Sequence, residues 1–214
     1  MAKGTVVIDP GHGGTEDIGG SDANHAVSFS GVLEKTMTLQ LGLLVRDALL
    51  AANGAGHNFT VVMTRTTDVN LSLAARANVA RDHKADLLLS IHFNGFNAAV
   101  RGVETLVRPV ADGNVNHDDD TAFARKIQQR VFDAIHAKDP NTKDRGVKDQ
   151  KLGVLNDVAL GNTAANHPCR ACLVEVEFID VEAVDKLLNT GPSAAANRRD
   201  IAHAITAAII EELK

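Results

Sequence analysis

The sequence predicts an α/β domain built on a parallel sheet. Short apolar runs at 6–8, 59–64 and 86–92 alternate with stretches whose apolar residues recur at three- and four-residue spacing. That alternation is the mark of strand–helix–strand units. Leu87-Leu88-Leu89-Ser90-Ile91 is apolar on both faces, as a central parallel strand covered from two sides should be. No linker and no internal repeat divides the chain, so residues 1–214 are expected to form one domain.

Val6, Val7 and Ile8 form the first strand, and Asp9-Pro10-Gly11 stops it, because proline cannot continue a ladder and glycine allows a sharp turn. His12 follows between Gly11 and Gly13-Gly14. A side chain there projects past a strand end with no bulky neighbour, the place where ligands collect in open α/β sheets. A dinucleotide fingerprint would need glycine at position 16, where Glu16 stands, so a phosphate loop is a poor reading. Residues 14–31 are polar and glycine-rich and too long for a simple connection. They are read as a loop over the site, with His25 exposed in it.

Glu34 opens a helix in which Met37, Leu41, Leu44, Val45 and Ala48 line one face and Asn53-Gly54 ends it. A second strand spans 59–64. Ser72 is placed to cap a helix carrying Leu73, Ala77 and Ala80. His92 ends the central strand, so it shares with His12 the mouth of a parallel strand. Further strands are expected at 102–109 and 152–155, a helix at 121–137 behind Asp118, Asp119 and Asp120, and a charged loop at 139–150. Residues 171–179 form the last strand. In regular alternation Leu173, Glu175 and Glu177 share one face of it, and Cys172, Val174, Val176 and Phe178 the other. Helices at 181–188 and 194–213 close the chain.

Composition excludes several functions. The net charge is −5, far from the basic face that nucleic-acid binding needs. No apolar run approaches the ~20 residues of a membrane span. No signal peptide is expected in the chain as numbered, since Val6 already belongs to a strand. With seven Phe and no Trp or Tyr, a platform of stacked aromatics for sugars is not expected. Cys169 and Cys172 make one C-x-x-C pair, half of a zinc ribbon, and are read as buried and idle.

Folding into such a sheet brings the strand ends to one rim. His12, Glu34 and His92 then supply two imidazoles and a carboxylate, the composition of a catalytic zinc site with its fourth position left to water. Two carboxylates inside an apolar strand call for a cation or an open cleft, and Glu175 is the free carboxylate expected beside the metal. Zinc would activate water for attack on a carbonyl, and Glu175 would move the proton to the leaving nitrogen.

The segments VVIDPGHGG at 6–14, GVLEKTMTLQLGLLVRDAL at 31–49, VVMTRTTD at 61–68, LSLAARANVA at 71–80, DLLLSIHFNG at 86–95, RGVETLV at 101–107 and CLVEVEFI at 172–179 together resemble the zinc-dependent N-acetylmuramoyl-L-alanine amidases. The resemblance implies one zinc ion on His12, Glu34 and His92, with Glu175 catalytic. It also implies a mixed, mostly parallel sheet of roughly six strands, with helices on both faces. The implied substrate is peptidoglycan, cut between the lactyl group of N-acetylmuramic acid and L-alanine, and the implied place of work is extracytoplasmic, in periplasm or cell wall. A zinc peptidase or deacetylase, or a silent wall-binding module, are the alternatives.

Glu177 departs from the family, which usually has glycine there. It either influences Glu175 or a substrate amine, or it points to solvent at a strand bend, which is the expectation. Arg65 is expected to tie a loop together rather than touch substrate. Asn94 is placed to orient His92. No inserted lid helix is expected between Val110 and Leu152. His57, His83, His117, His136, His167 and His203 fit no ligand spacing.

Overall fold

The computed structural model of the chain describes residues 1–166 and 168–214. His167, one of the histidines set aside above, lies outside the described residues. The order of elements is β1 (Lys3–Pro10), α1 (Glu34–Asn53), β2 (Asn58–Met63), α2 (Leu73–Asp82), β3 (Leu87–Asn94), β4 (Val103–Val107), α3 (His117–His136), β5 (Asp144–Asp149), α4 (Asp157–Leu160), β6 (Arg170–Phe178), α5 (Glu182–Asp185) and α6 (Ala194–Glu212).

The strands form a six-stranded sheet in the order β2-β1-β3-β6-β4-β5. β1, β2, β3 and β6 run parallel, while β4 is antiparallel to β6 and parallel to β5. The mixed, mostly parallel α/β architecture is thus the one expected. Side-chain alternation splits the core in two. Val6, Ile8, Leu87, Leu89, Cys172 and Val174 pack with α1, α3 and α6. Val7, Leu88, Leu106, Ala171 and Leu173 pack with α2, α4 and a short 3-10 turn. Period-two strands buried on both faces give this two-sided pattern.

Helix boundaries follow local chemistry. Ser72 Oγ accepts from Ala75 N and starts α2, as an N-cap serine should. α3 begins at His117, a turn before the expected Thr121, so Asp118, Asp119 and Asp120 lie inside its first turn, where carboxylates complement the helix dipole.

Three segments differ from expectation. Residues 139–150 are not all loop, because Asp144–Asp149 forms β5. Its charges conceal a strand that closes the sheet edge, a position where charge discourages further pairing. The expected strand at 152–155 is a 3-10 turn, Gly153–Leu155, which buries Val154 and Leu155. The helix expected over 181–188 is the single turn of α5, followed by a π-helical turn at Lys186–Thr190.

The last strand corrects a further expectation. β6 pairs with β3 in register at His92↔Glu175, but the next pair is Asn94↔Phe178. Three residues on β6 therefore span two on β3, which is a bulge. The extra residue turns Glu177 away from the face of Glu175. Glu177 does not reach solvent: it is fully buried. Its carboxylate accepts from Arg101 Nε at 2.9 Å, Thr142 Oγ1, Gly102 N and Phe178 N. The departure from glycine thus makes a clasp between β6, the start of β4 and the loop after α3.

The turn after β1 is held from beneath by Arg76. Its guanidinium, almost fully buried, donates to Asp9 Oδ1, the carbonyls of Pro10 and His12, and Asn70. Burial alone would raise the Asp9 pKa. The Arg76 charge and the hydroxyls of Thr64 and Ser90 overcome it and hold the carboxyl below its usual range. Replacing Arg76 by Met leaves Asp9 buried and unpaired. The expected loss of unfolding free energy is about 3–5 kcal/mol, read from urea denaturation of the two chains at neutral pH.

Candidate metal centre and active site

The site grows from the glycine turn. His12 has φ +61°, a left-handed conformation that costs energy for any residue but glycine. The surrounding bonds impose it: Gly11 N donates to Ile91 O, Gly13 N to Ala23 O, and Arg76 holds the His12 carbonyl. Gly11 is required by close approach, since a Cβ there would lie 2.2 Å from the His92 ring. Gly13 has φ +134°, and a Cβ on it would sit 2.0 Å from the Val69 carbonyl oxygen. His12 is not the unshielded turn residue the sequence suggests, being 8% exposed.

Glu34, His12 and His92 come together. Glu34 Oε1 lies 3.2 Å from His12 Nε2 and 3.1 Å from His92 Nδ1. The two imidazole rings are 4.8 Å apart and nearly perpendicular. Among the described residues these three form the group able to hold a metal ion, with one ligand atom from each lying within 4.8 Å of the others. Glu34 is set by its backbone surroundings: Phe93 N donates to Oε1 and Ala26 N to Oε2. The first turn of α1 presents it to the ends of β1 and β3.

The donor set fits a zinc-type cation. His12 Nδ1 is 2.9 Å from the Asp22 carbonyl, which can only accept. Nδ1 thus carries a proton, and Nε2, once it gives up its own proton to a bound cation, turns a lone pair to the site, the metal-binding tautomer. Nitrogen, nitrogen and carboxylate oxygen suit zinc. The electrostatics point the same way. Burial would raise the Glu34 pKa, but hydrogen bonds from both imidazoles drive it well below the usual carboxylate range. Burial lowers the His12 pKa, yet the Glu34 carboxylate more than offsets it and the net shift is upward. The buried Glu34 carboxylate has gathered hydrogen-bonding groups around it.

Glu175 stands beside this group on the neighbouring strand, directly opposite His92. Its Oε2 is buried and has no hydrogen-bond partner among the described residues. Burial, then the negative charges of Glu34 and Glu104, push its pKa well above the ordinary value. A carboxyl shifted in this way beside a cluster of ligand groups is a candidate acid–base group.

The other singled-out residues separate. Arg65 ties loops together: its guanidinium donates to the carbonyls of Pro10, Gly11, Lys35 and Thr67 and to Thr38 Oγ1. Asn94 does not orient His92, since its amide donates instead to Glu104 at 3.0 Å. Two residues past His92 on β3, Asn94 lies on the same face and reaches across β6 to Glu104 on β4. His25 is exposed, its ring 6.4 Å from that of His12. Cys169 and Cys172 are free and buried, with burial raising both thiols, so neither has the thiolate character of a redox or metal cysteine.

Sequence reasoning missed the supports. Asp22 acts through its carbonyl, Ala26 through its N–H, and Arg76 from within a helix. None carries a local signal, because each role exists only once distant segments meet.

Known proteins are similar to this chain over most of its length. Residues 6–211 match the family described as N-acetylmuramoyl-L-alanine amidase. A cell wall amidase of Bacillus anthracis, described as uncharacterised, is 31% identical over 194 residues, covering 87% of this chain and 32% of that protein. The N-acetylmuramoyl-L-alanine amidase CwlM of Bacillus licheniformis is 31% identical over 175 residues, covering 82% of this chain and 56% of its own length. The chain thus spans a third to rather more than half of these curated relatives. The crystal structure of N-acetylmuramoyl-L-alanine amidase from Clostridium difficile 630 superposes with a TM-score of 0.75 at 25% identity, covering 99% of this chain and 97% of that one. With this match over nearly its whole length, the chain belongs to the N-acetylmuramoyl-L-alanine amidase family.

Proposed function

We propose that residues 1–214 are the catalytic domain of a zinc-dependent N-acetylmuramoyl-L-alanine amidase. It hydrolyses the amide between N-acetylmuramic acid and the L-alanine of the stem peptide in peptidoglycan. His12, Glu34 and His92 hold one zinc ion, and Glu175 is the general base and acid. The observation that carries this reading is the convergence of those three ligand atoms within 4.8 Å next to a buried, unpartnered Glu175 oxygen. The amidase names of the relatives support the substrate. The Bacillus anthracis relative's description as a cell wall amidase supports work outside the cytoplasmic membrane. No helix among the described residues is long and apolar enough to cross a membrane.

Zinc in this position would lower the pKa of a water to about 7 and polarise the substrate carbonyl. The chain's own groups do the rest. Asp22 and Ala26 keep His12 and Glu34 aimed inward. Burial of Glu175 makes it a strong proton acceptor when ionised, and a dication nearby favours that ionised form. Glu175 takes a proton from the attacking water and delivers it to the amide nitrogen, which leaves as an amine. General acid–base catalysis of this kind contributes roughly 10²–10⁴-fold.

Glu175→Gln is therefore expected to lower kcat on purified sacculi by roughly 10²–10⁴-fold while the zinc content stays unchanged. Full lysis by a zinc-loaded variant would remove Glu175 from the mechanism. Wild-type digestion should release stem peptides with a free alanine amine. Acetate or internal peptide fragments would instead indicate a deacetylase or a peptidase, and no product at all a wall-binding module.

Elemental analysis of the wild-type chain should find about one zinc per molecule, and His92→Ala should lose most of it. Bound zinc should also fall as pH drops. Protons compete for the ligand nitrogens, and the raised His12 pKa carries that competition to higher pH than for a free imidazole. Dialysis at pH 5 and pH 8 followed by metal analysis measures it. Equal retention at both would contradict the imidazole ligands.

A further inference from the structure

The face of the sheet that carries Glu175 continues beyond it. Glu175 lies opposite His92 on β3 and opposite Glu104 on β4. Directly paired residues share a face, so His92, Glu175 and Glu104 form one row across three strands. Asn94 donates to Glu104 Oε1. On the far side, from edge strand β5, Arg145 Nε and Lys148 Nζ both donate to Glu104 Oε2. Arg145 also lies over the Phe178 ring, 5.1 Å from its centroid, on the face to which the β6 bulge has turned Phe178.

Two cations converge on one carboxylate there. Glu104 is held ionised: burial works against it, but the bonds from Lys148 and Arg145 prevail and lower its pKa. It serves as a brace. Arg145 uses only Nε on it, so among the described residues the Nη edge of the guanidinium has no hydrogen-bond acceptor. The Arg145 side chain is 32% exposed and that of Lys148 43%. A guanidinium edge beside an ammonium, both braced from behind, is a receptor for a carboxylate.

We propose that Arg145 and Lys148 form an anion-binding subsite on the active-site floor, which takes a free carboxylate of the peptide part of the substrate. The inference rests on the amidase reading and adds to it the chemistry of the leaving group. From Glu175 to β5 is two strand spacings, about 10 Å, the reach of about three extended residues. The subsite therefore reads a carboxylate within about three residues of the cut bond. It sets specificity by holding the peptide while Glu175 and the metal ligands act on the amide.

The test compares a synthetic muramyl peptide whose stem carboxylates are free with the same molecule bearing carboxamides. Zinc-loaded wild type should show about a tenfold lower KM for the free acid, the worth of one charge-assisted hydrogen bond pair. Arg145→Gln/Lys148→Gln should abolish that preference through KM rather than kcat. Titration calorimetry with the two stem peptides alone should show the same preference and the same loss. Lys148→Gln alone, at an exposed edge, should lose part of it and covers the case in which the double variant fails to fold. Equal handling of both peptides by wild type, or an unchanged preference in a folded variant, overturns the subsite. A wild-type chain that prefers the acidic peptide in calorimetry yet cleaves neither supports the subsite and counts against the amidase reading alone.

Discussion

The Glu34 carboxylate is the interaction on which the site depends. It is almost fully buried and meets two imidazoles and two backbone N–H groups. An ion in such a place is stable only if every lone pair has a partner. Three chain segments, the ends of β1 and β3 and the loop before α1, are therefore obliged to converge on it. The same convergence turns two histidine nitrogens toward one point. Charge compensation and metal-site geometry are here one requirement.

Around that centre the protein holds strained backbone in place with buried cations. His12 keeps its left-handed conformation because Arg76 and Arg65 occupy the carbonyls on either side of the turn. Each guanidinium spreads several donors over a rigid plane, which suits a turn whose carbonyls point in divergent directions. Strain of about 1–3 kcal/mol at such a position persists only where neighbours over-determine it. The benefit is precision: the imidazole is fixed before any ligand arrives.

The sheet supplies the working surface. A parallel strand pair puts Glu175 beside His92, and the antiparallel turn of β4 puts Glu104 beside Glu175. One bulge decides the rest. It sends Glu177 into a buried clasp with Arg101 and Thr142, and brings Phe178 to the face of Glu175, opposite Asn94. Two glutamates two residues apart thus serve opposite ends: one has no hydrogen-bond partner among the described residues, the other is bonded on both oxygens.

The sequence by itself determined the fold class and the strand and helix spans of the first half, and it singled out His12, Glu34, His92 and Glu175, which the structure brings close together, because periodicity and position at a strand or helix end are local properties. It could not reveal β5, whose edge position tolerates charge and so hides its alternation, nor the 3-10 turn at Gly153–Leu155, a short apolar run that reads equally as strand. The place of Glu177, the partner of Asn94 and the Asp22 and Ala26 supports were decided only by tertiary structure. A bulge changes which side of a strand a residue faces without leaving a mark in the residues themselves, and a backbone carbonyl or N–H acquires a role only from what folds against it.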